Sequence, residues 1–128
     1  MSSMRARKPH LLVADDYDAF RELTAVRLRA LGCTCTAVGS VPAAIEALEL
    51  EQFDSVLSDY SMPRLSGLDL LAYVRRRWPE LPFWIMGSFI EDKVRREAFA
   101  RGASGVYEKS DLVDSLAPVI PRVRLFAA

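Results

Sequence analysis

The stretch Ser58-Asp59-Tyr60-Ser61-Met62-Pro63-Arg64-Leu65-Ser66-Gly67 places one acid at the end of an apolar run, followed by turn residues and a helix start. A carboxylate there stands at the mouth of a sheet, where it can act as a nucleophile or hold a metal. Far upstream a second apolar run, His10-Leu11-Leu12-Val13-Ala14, also ends in acids, Asp15 and Asp16. If the two strand ends lie side by side, the carboxylates share one pocket. Like charges that close repel, so the pocket calls for a cation.

Outward from these anchors, short apolar runs alternate with helical patterns. Strands are expected at Leu11–Ala14, Cys33–Val38, Phe53–Ser58, Phe83–Met86 and Gly105–Glu108. Helices are expected at Tyr17–Leu31, Pro42–Glu51, Gly67–Trp78 and Glu91–Arg101. Ser40 is placed to cap the second helix with Pro42 in its first turn, and Gly32 and Gly102 to end the first and fourth. Phe20, Leu23, Val26, Ala30 and Leu31 form the expected inward stripe of the first helix. Leu68, Leu71, Val74 and Trp78 do the same for the third, with Arg75, Arg76 and Arg77 mostly outward. A fifth helix is expected over Asp111–Ala117, disturbed at Pro118 or Pro121, because an interior proline costs ~3 kcal/mol.

Strands alternating with helices in this way imply an α/β fold, a doubly wound five-stranded parallel sheet covered on both faces. Right-handed crossovers leave few topologies, of which the flavodoxin-like (βα)5 strand order 2-1-3-4-5 is one. Such sheets bind ligands outside the carboxyl ends of their strands. Asp15, Asp16, Asp59, Gly87, Ser88 and Lys109 all map to that rim.

Clustered oxygens without a nearby His or Cys favour a hard cation, Mg²⁺ or Mn²⁺, which commonly bridges carboxylates, waters and phosphate. Asp16, Asp59 and the Ser61 backbone carbonyl are the expected direct ligands, with Asp15 acting through water. An Asp59 oxygen could then attack phosphorus in line. Lys109 would pair with Asp59 or with the new phosphate. A hydroxyl from the fourth strand end would hydrogen-bond the phosphate and turn modification into loop movement.

With 128 residues, 51% of them apolar, the chain suits one domain with a sizeable core. Its formal net charge is zero, which gives no nucleic-acid footprint. No window approaches the ~18 apolar residues of a membrane span. The basic N-terminus lacks the apolar core of a signal peptide. The two cysteines, Cys33 and Cys35, read as small core residues of a reducing compartment, so a cytoplasmic location is expected.

Together these residues resemble the receiver domain of two-component response regulators, over roughly His10 to Leu116. Asp15-Asp16 resembles its acidic pair. Asp59 with Met62-Pro63 and Gly67 resembles its phosphoacceptor motif D-x-x-M-P-x-x-x-G, and Gly102–Lys109 the segment leading to its lysine. The resemblance implies a flexible segment over residues 1–9 and a single receiver domain over 10–128. It also implies a Mg²⁺-dependent phosphoacceptor at Asp59, served by a sensor histidine kinase, a phosphotransfer protein or a small phosphodonor. Such a domain is a switch that at most assists its own phosphorylation and dephosphorylation, not an enzyme acting on outside substrates. Its expected downstream partner is an unidentified protein, commonly met through the fourth helix, fifth strand and fifth helix. A homodimer remains open, although Pro118 and Pro121 interrupt the fifth helix.

Three positions depart from the family pattern. The switch Thr/Ser position falls on Gly87, with Ser88 one residue later, so either Ser88 supplies the hydroxyl or none is supplied. The switch aromatic falls on Val106; Tyr107 follows it and faces the other way. Ser110 replaces the proline after the lysine, so no cis peptide is expected there. These changes sustain an alternative, a pseudo-receiver that binds partners without phosphorylation. Arg95, Arg96 and Arg101 read as a solvated face that could also contact a partner. A flavin site would need a phosphate cradle where Asp15 and Asp16 stand. An aspartyl phosphatase would need a D-x-D unit that is absent.

Overall fold

A computed structural model describes residues 4–122 and 125–127. The central sheet is built from β2 (His10–Ala14), β3 (Thr34–Val38), β4 (Ser55–Asp59), β5 (Phe83–Gly87) and β6 (Gly105–Glu108). All are parallel, in the order β3-β2-β4-β5-β6, which is 2-1-3-4-5 counted within the sheet. Met4–Ala6, inside the segment expected to be flexible, forms β1 and pairs antiparallel with β7 (Leu125–Ala127) as a separate ribbon.

The helices α1 (Asp18–Ala30), α2 (Val41–Leu50), α3 (Gly67–Arg77), α4 (Asp92–Ala100) and α5 (Lys109–Asp114) cover both faces. One core holds Leu12, Val56, Phe83, Ile85 and Val106 from the sheet with Leu48, Leu71 and Val74 from α2 and α3. The other holds Leu11, Val13, Leu57 and Met86 with Leu28 from α1 and Leu112 from α5. Successive strand residues face opposite ways, so each strand supplies both cores. That explains its unbroken apolar run. Cys33 and Cys35 are free thiols packed on the second face.

Local signals act as expected at several ends. Ser40 Oγ accepts the Ala43 N–H at 3.2 Å. Gly32 and Gly102 take φ of 91° and 98°, the left-handed region in which they end their helices. Ser66 caps α3 and exchanges hydrogen bonds with Asp69.

The inward stripe of α1 differs from the expectation. Thr24, Ala25 and Leu28 are buried, whereas Leu23, Val26 and Leu31 lie on the surface. The helix carries two apolar stripes, and the one with small residues is the one that fits closely against the sheet. Arg75 is half-buried and engaged with backbone. Its guanidinium donates to the carbonyls of Leu81 at 2.6 Å and Gly102 at 2.9 Å, joining two turns. Arg95 likewise donates to the Val106 carbonyl at 2.8 Å, tying α4 to β6. The last helix starts earlier and ends sooner than expected, because Ser115 turns extended and its Oγ accepts the Ala117 N–H. Pro118 then sits in a short 3-10 turn, Ala117–Val119.

Candidate functional site: an acid pocket at the strand ends

Strand order reverses between β2 and β4, and the carboxyl ends there carry Asp15 and Asp59 side by side. The neighbouring strands add Gly87 and Lys109 from β5 and the start of α5. A cavity of about 470 Å³ opens over them, lined by Asp16, Asp59, Ser61, Gly87, Ser88 and Lys109 among others. Of the rim residues read from the sequence, all line this cavity except Asp15, which is buried and joins the others through Lys109. A cleft of similar volume at the opposite end of the sheet, lined by Phe53, Trp78 and Leu81, is chemically quieter. Its carboxylates are already engaged, Glu49 by Arg77 and Glu51 by His10 and Thr36.

The pocket is electrostatically strained. Asp15 is fully buried and Asp59 nearly so. Lys109 Nζ lies 3.0 Å from Asp15 Oδ2 and 3.2 Å from Asp59 Oδ2. One ammonium thus serves two carboxylates, whereas the sequence suggested only the pair with Asp59. Backbone donors hold the remaining oxygens: Tyr17 N–H reaches Asp15 Oδ1 at 3.0 Å and Ser61 N–H reaches Asp59 Oδ1 at 3.2 Å. Burial first, then the closeness of Asp15, push the Asp59 carboxyl up to about 6, against the pull of Lys109 and the Ser61 amide. Burial pulls the Lys109 ammonium down, but Asp15 and Asp59 outweigh it and its pKa is raised.

The donor set fits a hard cation. Asp15, Asp16 and Asp59 each offer a carboxylate oxygen, all within 4.8 Å of one another. Asp15 Oδ2 is buried without a hydrogen bond, although the Lys109 charge lies beside it. A second positive charge would relieve that oxygen and the repulsion between the acids.

The structure adds residues that sequence reading missed. The Lys109 ammonium sits 4.7 Å from the centre of the Phe20 ring and 5.8 Å from that of Tyr17. Arg21 donates to the Asp15 carbonyl at 2.9 Å and fixes the turn after β2. Glu108 accepts the Ile90 N–H at 3.1 Å. Nothing in their local sequence marks these contacts. At Gly67 the signal was visible and its reason was not: a Cβ there would meet the Asp59 carbonyl oxygen. Peptide bonds among the described residues are all trans, including the one before Ser110.

The response regulator receiver domain family matches the chain over residues 11–118. The chain belongs to that family. The receiver domain is 35% identical over 112 residues to the response regulator protein FleR of Pseudomonas aeruginosa, covering 88% of this chain and 24% of FleR. It is 31% identical over 110 residues to the DNA-binding transcriptional regulator NtrC of Escherichia coli K12, covering 86% of this chain and 24% of NtrC. It thus spans about a quarter of the length of the curated relatives it matches. In structure it resembles the chemotaxis protein CheY4 of Vibrio cholerae, with TM-score 0.81, 22% identity and coverage of 88% and 99% of the two chains. A signal receiver domain of an HD domain-containing protein from Pseudomonas fluorescens Pf-5 gives TM-score 0.79 at 20% identity, covering 88% and 94%. These likenesses concern the fold.

Proposed function

We propose that this receiver domain takes a phosphoryl group onto Asp59 from a histidine kinase, a phosphotransfer protein or a small phosphodonor, and changes its partner contacts in response. The observation that carries this reading is the shared ammonium: Lys109 lies within 3.2 Å of both Asp15 and Asp59 inside an open, acid-lined pocket. An Asp59 oxygen forms the new P–O bond while the donor's bond to phosphorus breaks, P–N in a phosphohistidine or P–O in an acyl phosphate, and the departing imidazole nitrogen or carboxylate oxygen keeps that electron pair. Lys109 then neutralises a phosphoryl oxygen. Asp16, Asp59 and the Ser61 carbonyl would hold Mg²⁺, with Asp15 behind a water, and the ion would supply charge neutralisation of the transferring group. Tyr17 and Phe89, 63% and 74% exposed, flank the mouth and give a protein donor apolar surface to dock on. No outside substrate is turned over.

The output face in this reading is α4–β6–α5, where Phe99 and Val113 are exposed. With only six residues, α5 offers a short surface there. The deciding experiment incubates wild type and Asp59→Asn with acetyl phosphate and Mg²⁺ and measures intact mass. Wild type should gain one acid-labile phosphate and the variant none. An unmodified wild type would favour the phosphorylation-independent interaction module instead.

A further inference from the structure

Gly87 ends β5 where the family places a hydroxyl, and the space beside it is filled. A Cβ built on Gly87 would lie 2.5 Å from Ile90 Cδ1, and Ile90 is 5% exposed within the core. The loop between them is only Ser88-Phe89. Both of its ends are anchored on one residue. Gly87 is the ladder partner of Glu108 across β5 and β6, and the Ile90 N–H donates to Glu108 Oε2 at 3.1 Å. Glu108 is itself held, donating its N–H to Asp111 Oδ2 at 3.2 Å, and the next residue is Lys109.

We infer that Glu108 is a positioning residue for the phosphoryl site, fixing through Ile90 the two-residue loop that presents the Ser88 hydroxyl to the phosphate. The inference rests on Asp59 being the phosphoacceptor. Ser88 lines the cavity with Asp59 and Lys109. Its hydroxyl makes no hydrogen bond to protein among the described residues, which leaves it available to an incoming oxyanion. A carboxylate accepting a backbone amide makes a charge-assisted bond, stronger than a neutral one, and a loop this short transmits it directly. Glu108 therefore holds the loop in place, and Ser88 supplies from the loop the hydroxyl that residue 87 does not supply from the strand.

The test is a double-mutant cycle on the full chain, reading beryllofluoride affinity in Mg²⁺ by calorimetry, with Mg²⁺ affinity alone as the control. Ser88→Ala and Glu108→Leu should each weaken beryllofluoride about tenfold, the scale of a lost hydrogen bond to a charged group. Glu108→Gln, which can still accept the Ile90 N–H, should stay within about threefold. The double variant Ser88→Ala/Glu108→Leu should bind no worse than either single one, and Mg²⁺ affinity should hold throughout. Losses that multiply, or a Glu108→Leu variant that binds like wild type, overturn the inference while leaving the phosphoacceptor reading standing. Wild type that fails to bind beryllofluoride overturns both. Independently of any variant, the wild-type Ile90 amide should be protected from hydrogen exchange, and rapid exchange there also overturns the inference.

Discussion

Gly67 lets the first turn of α3 close directly onto Asp59: a Cβ at residue 67 would lie 2.3 Å from the Asp59 carbonyl oxygen and 3.1 Å from Ser58 Oγ. The Gly67 N–H also donates to the Tyr60 carbonyl at 2.8 Å, so helix and strand end are fastened together. Backbone cannot yield as a side-chain tip can. Gly67→Ala should therefore destabilise the domain by about 1–3 kcal/mol, the range of overpacked sites. It should also weaken Mg²⁺ binding, because Asp59 has to move. Urea unfolding and a Mg²⁺ titration monitored by tryptophan fluorescence check both.

Asp59 is raised from 3.8 to about 6, so the folded domain binds more protons at that site than the unfolded chain between those values. The favourable contribution is complete below pH 4 and is lost as pH rises through about 6. At neutral pH the ionised carboxylate is a liability, on the order of 1–2 kcal/mol after allowance for solvent screening. Asp59→Asn should match wild type near pH 4 and become the more stable protein by that amount at pH 7.5, since Lys109 keeps Asp15 as a partner. Mg²⁺ should erase the difference at pH 7.5 by stabilising wild type alone. Urea midpoints at the two pH values, with and without the ion, measure it.

The sheet and the acid pocket were legible because they are written in local pattern. Apolar runs end in Asp15 and Asp59, and Met62-Pro63 with Gly67 marks the turn that follows. What could not be read depends on which residues the crossovers bring together. Lys109 reaches Asp15 across 94 positions of chain and Glu108 reaches Ile90 across 18, and neither contact has a local signature. The α1 stripe failed in part, for a different reason. Phe20 packs against the core as expected, but Leu23, Val26, Ala30 and Leu31 are exposed; they satisfy helical periodicity, yet so do Ala25 and Leu28, and periodicity alone does not say which stripe meets the sheet. Arg75 and Arg95 were read as solvated from their charge, but their long stems reach carbonyls that local sequence does not place.

Restoring a hydroxyl at Gly87 requires moving Ile90. Gly87→Thr places its Cβ 2.5 Å from Ile90 Cδ1, so the single substitution should lower stability by about 1–3 kcal/mol. Gly87→Thr with Ile90→Ala should recover part of that loss and bind beryllofluoride about as tightly as wild type, because the Ser88 hydroxyl already serves the phosphoryl site. A double variant that binds markedly more tightly would show that the loop hydroxyl does not reach the phosphate. Thermal denaturation and calorimetry on the two variants decide between these outcomes.

Phe20 gives Lys109 an apolar, electron-rich wall 4.7 Å from the ammonium, which also pairs with two carboxylates. A cation against a partly desolvated ring gains about 0.5–2 kcal/mol. The ring also narrows the directions in which a flexible lysine can point. Phe20→Leu keeps apolar bulk and removes the quadrupole, so the fold should survive while Lys109 loses its guide. The expected result is a three- to tenfold slower phosphorylation by acetyl phosphate at fixed Mg²⁺, the rate equivalent of about 1 kcal/mol. Mg²⁺ affinity should not change, because Phe20 lies against the lysine ammonium and does not line the acid pocket. Phe20→Trp, with a stronger quadrupole, should keep the wild-type rate. If Leu and Trp variants slow phosphorylation equally, packing volume and not the ring's electrostatics sets the position of Lys109.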